Sequence, residues 1–166
     1  MTTFVQFGTP WVLQASGVGG PVFSPGGGSA WADDTAWMAA ALDLSQTPAT
    51  EYVVDASVET GATPPAAGRA YHFYAAFGSS PTDFAHTGIT GSAGQFASGE
   101  EQEHIAGLIR LGELFVTNDA STVITRQLGI LIPRNRYLVG VGWNKSGQDG
   151  ADSTNFRLTL TPRYGG

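Results

Sequence analysis

Near the C-terminus Phe156, Leu158 and Leu160 alternate with Arg157, Thr159 and Thr161. A period of two places the apolar side chains on one face and the polar ones on the other, the pattern of a half-buried antiparallel strand. Three more runs of this kind precede it, Leu108–Thr117, Thr122–Ile132 and Arg136–Lys145, joined by turn formers such as Asn118-Asp119-Ala120-Ser121 and Pro133-Arg134-Asn135. Each apolar face needs another face to cover it, which commits the chain to a layered β fold. In Arg136–Lys145 the residues Tyr137, Val139, Val141 and Trp143 share one face, and Leu138, Gly140, Gly142 and Asn144 the other. The two glycines leave room for a neighbour to approach the backbone closely.

Upstream the same period recurs. In Glu51–Thr60 the residues Tyr52, Val54, Ala56 and Val58 oppose Glu51, Asp55, Ser57 and Glu59, and in Tyr71–Gly78 the apolar face is Tyr71, Phe73, Ala75 and Phe77. The turn-rich link Gly61–Gly68 predicts that these two runs pair as a hairpin. Between Trp31 and Leu44 the alternation of Met38, Ala40, Leu42 and Leu44 favours a strand over a helix. Thr2–Phe7 and Trp11–Ala15, broken at Gly8-Thr9-Pro10, read as a kinked edge strand or an arm, followed by a Gly/Pro-rich segment. The predicted architecture is all-β: residues 1–30 as arm, then a single-domain β-sandwich over 31–166. Jelly-roll connections are expected, because the long middle segment suits a strand changing sheets. An immunoglobulin-like sandwich is the alternative.

Composition agrees and removes several function classes. At 166 residues the chain is long enough to bury roughly two-thirds of its unfolded surface without staples. Its 13% charged residues lie below the usual ~25%, as expected of a surface partly covered by neighbours. The net charge of −6 and only eight Lys and Arg argue against nucleic acid and anionic membrane surfaces as partners. No apolar run reaches the ~20 residues of a membrane span, and Met1-Thr2-Thr3-Phe4 lacks the order of a signal peptide, so synthesis in a cytosol is expected. Zero cysteine excludes disulfides, thiolate catalysis and cysteine-ligated zinc.

No residue set predicts catalysis. There is no Gly-x-Ser-x-Gly elbow, and His72, His86 and His104 have no triad spacing. Asp33, Asp34, Asp55, Glu59 and Glu113 read as solvated strand or turn residues rather than a glycosidase pair. Glu100 or Glu101 with His104 would suit a metal on a helical turn, but a solvated acidic turn is the expected reading. Asp149 and Asp152 around Gly150 read as a β-turn rather than a calcium loop, and Gly26-Gly27-Gly28-Ser29 lacks the lysine of a phosphate loop. Asn144-Lys145-Ser146 matches the glycosylation tripeptide without the secretory context it needs. The expectation is no enzyme, no cofactor and no metal.

The order of Tyr71-His72-Phe73-Tyr74, Thr87-Gly88-Ile89-Thr90-Gly91-Ser92, Leu111-Gly112-Glu113-Leu114, Leu131-Ile132-Pro133-Arg134 and Gly140-Val141-Gly142-Trp143-Asn144-Lys145-Ser146-Gly147 resembles small all-β virion proteins of tailed bacteriophages. The resemblance covers roughly Tyr52 to Tyr164. It implies a structural protein of the virion: a capsid decoration (cement) protein on the head, with the major capsid protein or other virion subunits as partners, or a tail accessory protein. A lectin-like module binding sugar through Trp31 or Tyr74 is the competing expectation. The expected contact residues are Val22 and Phe23 in the arm, Trp31 beside it, and Phe84, Ile89 and Phe96 in the interrupted segment 79–106, and a homo-oligomer is expected. An interrupted segment of that length in a compact domain is usually functional or disordered.

Overall fold

The computed structural model describes residues 6–7, 11–14, 30–46, 48–84, 88–97, 99–151 and 156–164. In chain order the elements are β1 (Gln6–Phe7), β2 (Trp11–Gln14), β3 (Ala36–Met38), β4 (Leu42–Asp43), β5 (Glu51–Glu59), β6 (Ala70–Ser80), β7 (Asp83–Phe84), β8 (Gly94–Gln95), α1 (Glu101–Ile105), β9 (Ile109–Phe115), β10 (Val123–Leu131), β11 (Tyr137–Lys145) and β12 (Arg157–Tyr164). They build an all-β sandwich of two antiparallel sheets. In sheet A, β12 and β10 flank β5, with β1 and β2 on the far side of β12. Sheet B runs β7-β6-β11-β3-β8, with β9 also on β6 and β4 also on β11.

The main core fills the space between the sheets. From sheet A come Tyr52, Val54, Ala56, Val58, Leu158 and Leu160, and from sheet B Tyr71, Phe73, Ala75, Leu114 and Leu138. The alternating faces of β5, β6 and β12 therefore lie where their period places them. β5 and β6 do not form the expected hairpin. β5 pairs with β10 and β12, whereas β6 pairs with β7, β9 and β11. Their link, with Pro65 buried, carries the chain from one sheet to the other. Two strands with one apolar face each can share a sheet or face each other across a core, and here they do the second.

The long middle segment also departs from expectation, because it leaves β6 and returns to β9, its neighbour in the same sheet. Sheet changes are made instead by the shorter links from β5 to β6, β9 to β10, β10 to β11 and β11 to β12. The long segment folds back over the outer face of sheet B. There Phe84, Ile89, Phe96 and Ile105 form a second core with Ala36, Met38, Ala76, Val139 and Val141. Gly88 takes a positive φ of 80° directly against the His104 ring, a place without room for a side chain. His104 stacks on Phe96 with ring centroids 5.4 Å apart and lies 3.2 Å from Glu100.

Trp31 anchors one end of the main core. It is fully buried against Tyr71 and Phe156, with centroids 5.3 and 5.0 Å away, and its indole N–H donates to the Thr35 carbonyl at 3.0 Å. Gly150 closes this end: a Cβ there would stand 2.6 Å from Phe156 and 2.9 Å from the Tyr71 hydroxyl. Between Trp31 and Leu44 the strand reading holds as two short pieces, β3 and β4, and the break changes the faces. Met38 enters the second core, whereas Leu44 enters the first. β4 is fixed to the entrance of β11 by Arg136, whose Nε and Nη2 donate to the two Asp43 carboxylate oxygens at 3.0 and 2.7 Å. That pairing holds the Asp43 carboxyl well below its ordinary range.

Candidate functional site

The described contact residues lie inside the subunit. Trp31 belongs to the main core, and Phe84, Ile89 and Phe96 to the second core, so these side chains are buried or nearly so and pack the chain against itself. Val22 and Phe23 lie outside the described residues. The polar groups weighed for chemistry also have structural partners. Asn144 is buried and donates to the carbonyls of Trp31 and Gln148, both at 2.9 Å, so its amide is engaged in the core rather than open to glycosylation. Asp149 accepts from the Asp33 amide at 2.8 Å, and Asp33 accepts from the Gly147 amide at 2.9 Å. Asp152 lies outside the described residues. Buried Glu101 accepts from the Gly99 amide at 2.7 Å. No group of three or more His, Asp or Glu side chains among the described residues is placed to hold a metal ion, and no described helix is long and apolar enough to cross a membrane.

The surface feature that stands apart is the rim where the edge of sheet A, β10, meets an edge of sheet B, β9. Each strand carries a bulge. The register of β9 on β6 jumps between Gly112 and Arg110, leaving Leu111 extra, and that of β10 on β5 jumps between Gln127 and Gly129, leaving Leu128 extra. Both extra leucines pack against the main core. Gly112 permits the approach of the two strands, because a Cβ there would lie 3.2 Å from the Leu128 Cβ. The bulge has a second effect. Arg110 and Glu113 oppose Tyr74 and His72, which share a face, so two residues three apart come to the same side and form an ion pair.

Between the strands lies a cleft of about 300 Å³ lined by Arg110, Gly112, Glu113, Phe115, Arg126, Gln127 and Leu128. Arg126 reaches it from an unusual position. It stands opposite Ala56, a main-core residue, so its stem starts on the inner face of β10 and its head emerges where the sheets part. The exposed large apolar side chains among the described residues, Phe115, Val123, Ile130 and Ile132, also belong to this rim or to the ends of its strands. Sequence reading missed the rim. The available signal was Arg126 between Ile124 and Leu128, a charge inside an apolar alternation. Comparison of the chain with protein-family models, with characterised proteins and with solved structures gives no match.

Proposed function

We propose that the chain is a structural, non-catalytic subunit that joins a larger assembly through the rim formed by β9 and β10. The observation that carries this reading is the placement of Phe115, Val123, Ile130 and Ile132 along one border, while the other large apolar side chains among the described residues are mostly enclosed. Large apolar side chains left exposed at both ends of one rim offer anchors for a neighbouring subunit. The low charge of the chain favours the same reading. Combined with the resemblance of the Tyr52 to Tyr164 region, the assembly is the virion of a tailed bacteriophage. The role within it is a decoration protein on the head, set against the major capsid protein or further copies of itself.

The test is electron microscopy of phage particles from the source culture, labelled with antibody against this chain, beside particles carrying the double variant Ile130→Ser and Ile132→Ser. Even label over the heads that is lost in the folded double variant is the expected result. Label confined to the tail tip would move the protein to receptor or glycan binding. Particles without label would overturn the virion reading, and undiminished label in the double variant would overturn the rim as the contact.

A further inference from the structure

The cleft within the rim has a charge that the rest of the molecule does not share. In a chain of net charge −6, it gathers two of the eight cationic residues and one carboxylate. That carboxylate, Glu113, is already paired with Arg110. Arg126 makes no ion pair or side-chain hydrogen bond among the described residues, so the cleft keeps a cation with its fork unfilled. Phe115 stands beside it and is half-exposed. A guanidinium with five donors in a planar fork matches a carboxylate bidentately.

The backbone around the cleft narrows the ligand. β10 bonds to β5 on one side only, and no backbone hydrogen bond joins it to β9 among the described residues. From Val123 to Gln127, ahead of the bulge, it offers an unpaired strand edge of the kind extended peptides add to. Arg126 falls within that stretch. Resting on the assembly role proposed above, we infer that the rim cleft is a carboxylate receptor, in which Arg126 seats an Asp or Glu side chain of an extended acidic segment from a partner subunit. Phe115 covers the aliphatic part of that side chain, and Arg110, held by Glu113, completes the positive wall. An inward-starting charge on an edge strand can also serve only to repel unwanted strand pairing, and the experiment has to separate the two roles.

The probe is a hexaglutamate peptide titrated into the 15N-labelled full-length protein, with hexaglutamine and inorganic phosphate as comparisons. Saturable shifts of the Arg126 Nε–H and of the Phe115 and Gln127 amides are expected with hexaglutamate. Affinity is expected to fall at least ~10-fold in Arg126→Gln and to weaken as salt is raised to about 0.5 M. Hexaglutamine is expected to give no saturable shift at these positions. Equal binding of hexaglutamine, no binding of hexaglutamate, or unchanged affinity in Arg126→Gln would overturn the inference. So would phosphate competing as well as the peptide, which would make the site a general anion site. Arg126→Gln that self-associates more strongly while binding hexaglutamate unchanged would assign the residue to edge protection alone. These results are independent of particle labelling: loss of label in the Ile130→Ser, Ile132→Ser variant with no hexaglutamate binding would keep the rim and reject the receptor.

Discussion

The outer faces of the two sheets are made from the same kind of strand and meet opposite fates. On sheet B, Val139, Val141, Ala76, Ala36 and Met38 lie beneath a cover that the chain supplies itself, with Phe84, Ile89, Phe96 and Ile105 pressed onto them. On sheet A most of the corresponding described positions are polar. Ser57 accepts from the Thr125 hydroxyl at 3.0 Å, Asp55 stands between Gln127 and Thr159, and Glu51 pairs with Arg163 at 2.8 Å. Among the described residues, apolar groups return at Val53, between Ile130 and Thr161, and toward the ends of β10. The difference shows in the strands themselves: β11 is apolar at nearly every position because both its faces are enclosed, while β12 keeps a strict alternation, its outward residues only half-buried. A segment without a period of its own is thus explained by the face beneath it.

The largest expected break in this contrast is Val139→Asp. Val139 is completely buried under the cover, and an unpaired charge there costs several kcal/mol, enough to unfold a domain of ordinary stability. Circular dichroism and a melting curve are expected to show loss of the cooperative transition. A folded protein with an unchanged melting temperature would mean that the cover is not packed on sheet B in solution.

Phe96→Ala tests the cover from the other side. Truncating a buried phenylalanine costs about 3–5 kcal/mol, and here it also removes the ring on which His104 stacks. Urea unfolding is expected to show a loss of that size, with increased binding of a hydrophobic dye as sheet B is uncovered. A cost below about 1 kcal/mol would make the segment a loosely held surface loop.

Legibility in the sequence follows the same division. Strands with one open face declared themselves: Tyr52, Val54, Ala56 and Val58 on β5, and Phe156 and the residues after it leading into β12, face the core that their period implies. Two things were not written locally. Whether β5 and β6 pair or oppose each other depends on the partners each finds far along the chain, and a link rich in Gly and Pro permits either. The burial of Phe84, Ile89 and Phe96 depends on the both-sided apolar character of β11, a signal carried by another part of the chain. Trp31 misled for a related reason, since its neighbours in sequence are turn formers while its neighbours in space are Tyr71 and Phe156. Arg126 is legible only once β10 is known to be an edge, because in a central strand its position would demand a buried partner.

At the boundary between covered and open surface on sheet B lies His72, on the outer face of β6 between Glu113 and Trp143. Burial lowers its pKa, and the positive charges of Arg110 and Lys145 lower it further. The folded state therefore binds this proton less readily than the unfolded chain, whose histidine titrates near ~6.5. Stability rises with pH wherever the unfolded state holds more protons, so the His72 contribution is present above the unfolded value and is lost as pH falls below it. His72→Gln is expected to flatten the stability profile between about pH 7 and pH 5 relative to wild type. A steeper profile in the variant would mean that Glu113 stabilises the charged imidazole more than burial opposes it.

The smallest effect is expected on the open face, and it sharpens the comparison most directly. Thr159 occupies β12 opposite Asp55, in the middle of the outer face of sheet A, with a neighbour strand on each side. Its position in sheet A thus parallels that of Val141 in sheet B, except that none of the four cover residues reaches it. If sheet A is open to water, Thr159→Ala removes little buried area and loses chiefly strand propensity, so urea unfolding is expected to report a change within about 1 kcal/mol. If the same substitution cost as much as Phe96→Ala, the outer face of sheet A would have to be packed in solution, and the asymmetry between the sheets would disappear. A small cost in the isolated protein that grows when the protein is assembled into particles would place Thr159 beneath a neighbouring subunit, extending the contact inward from the rim.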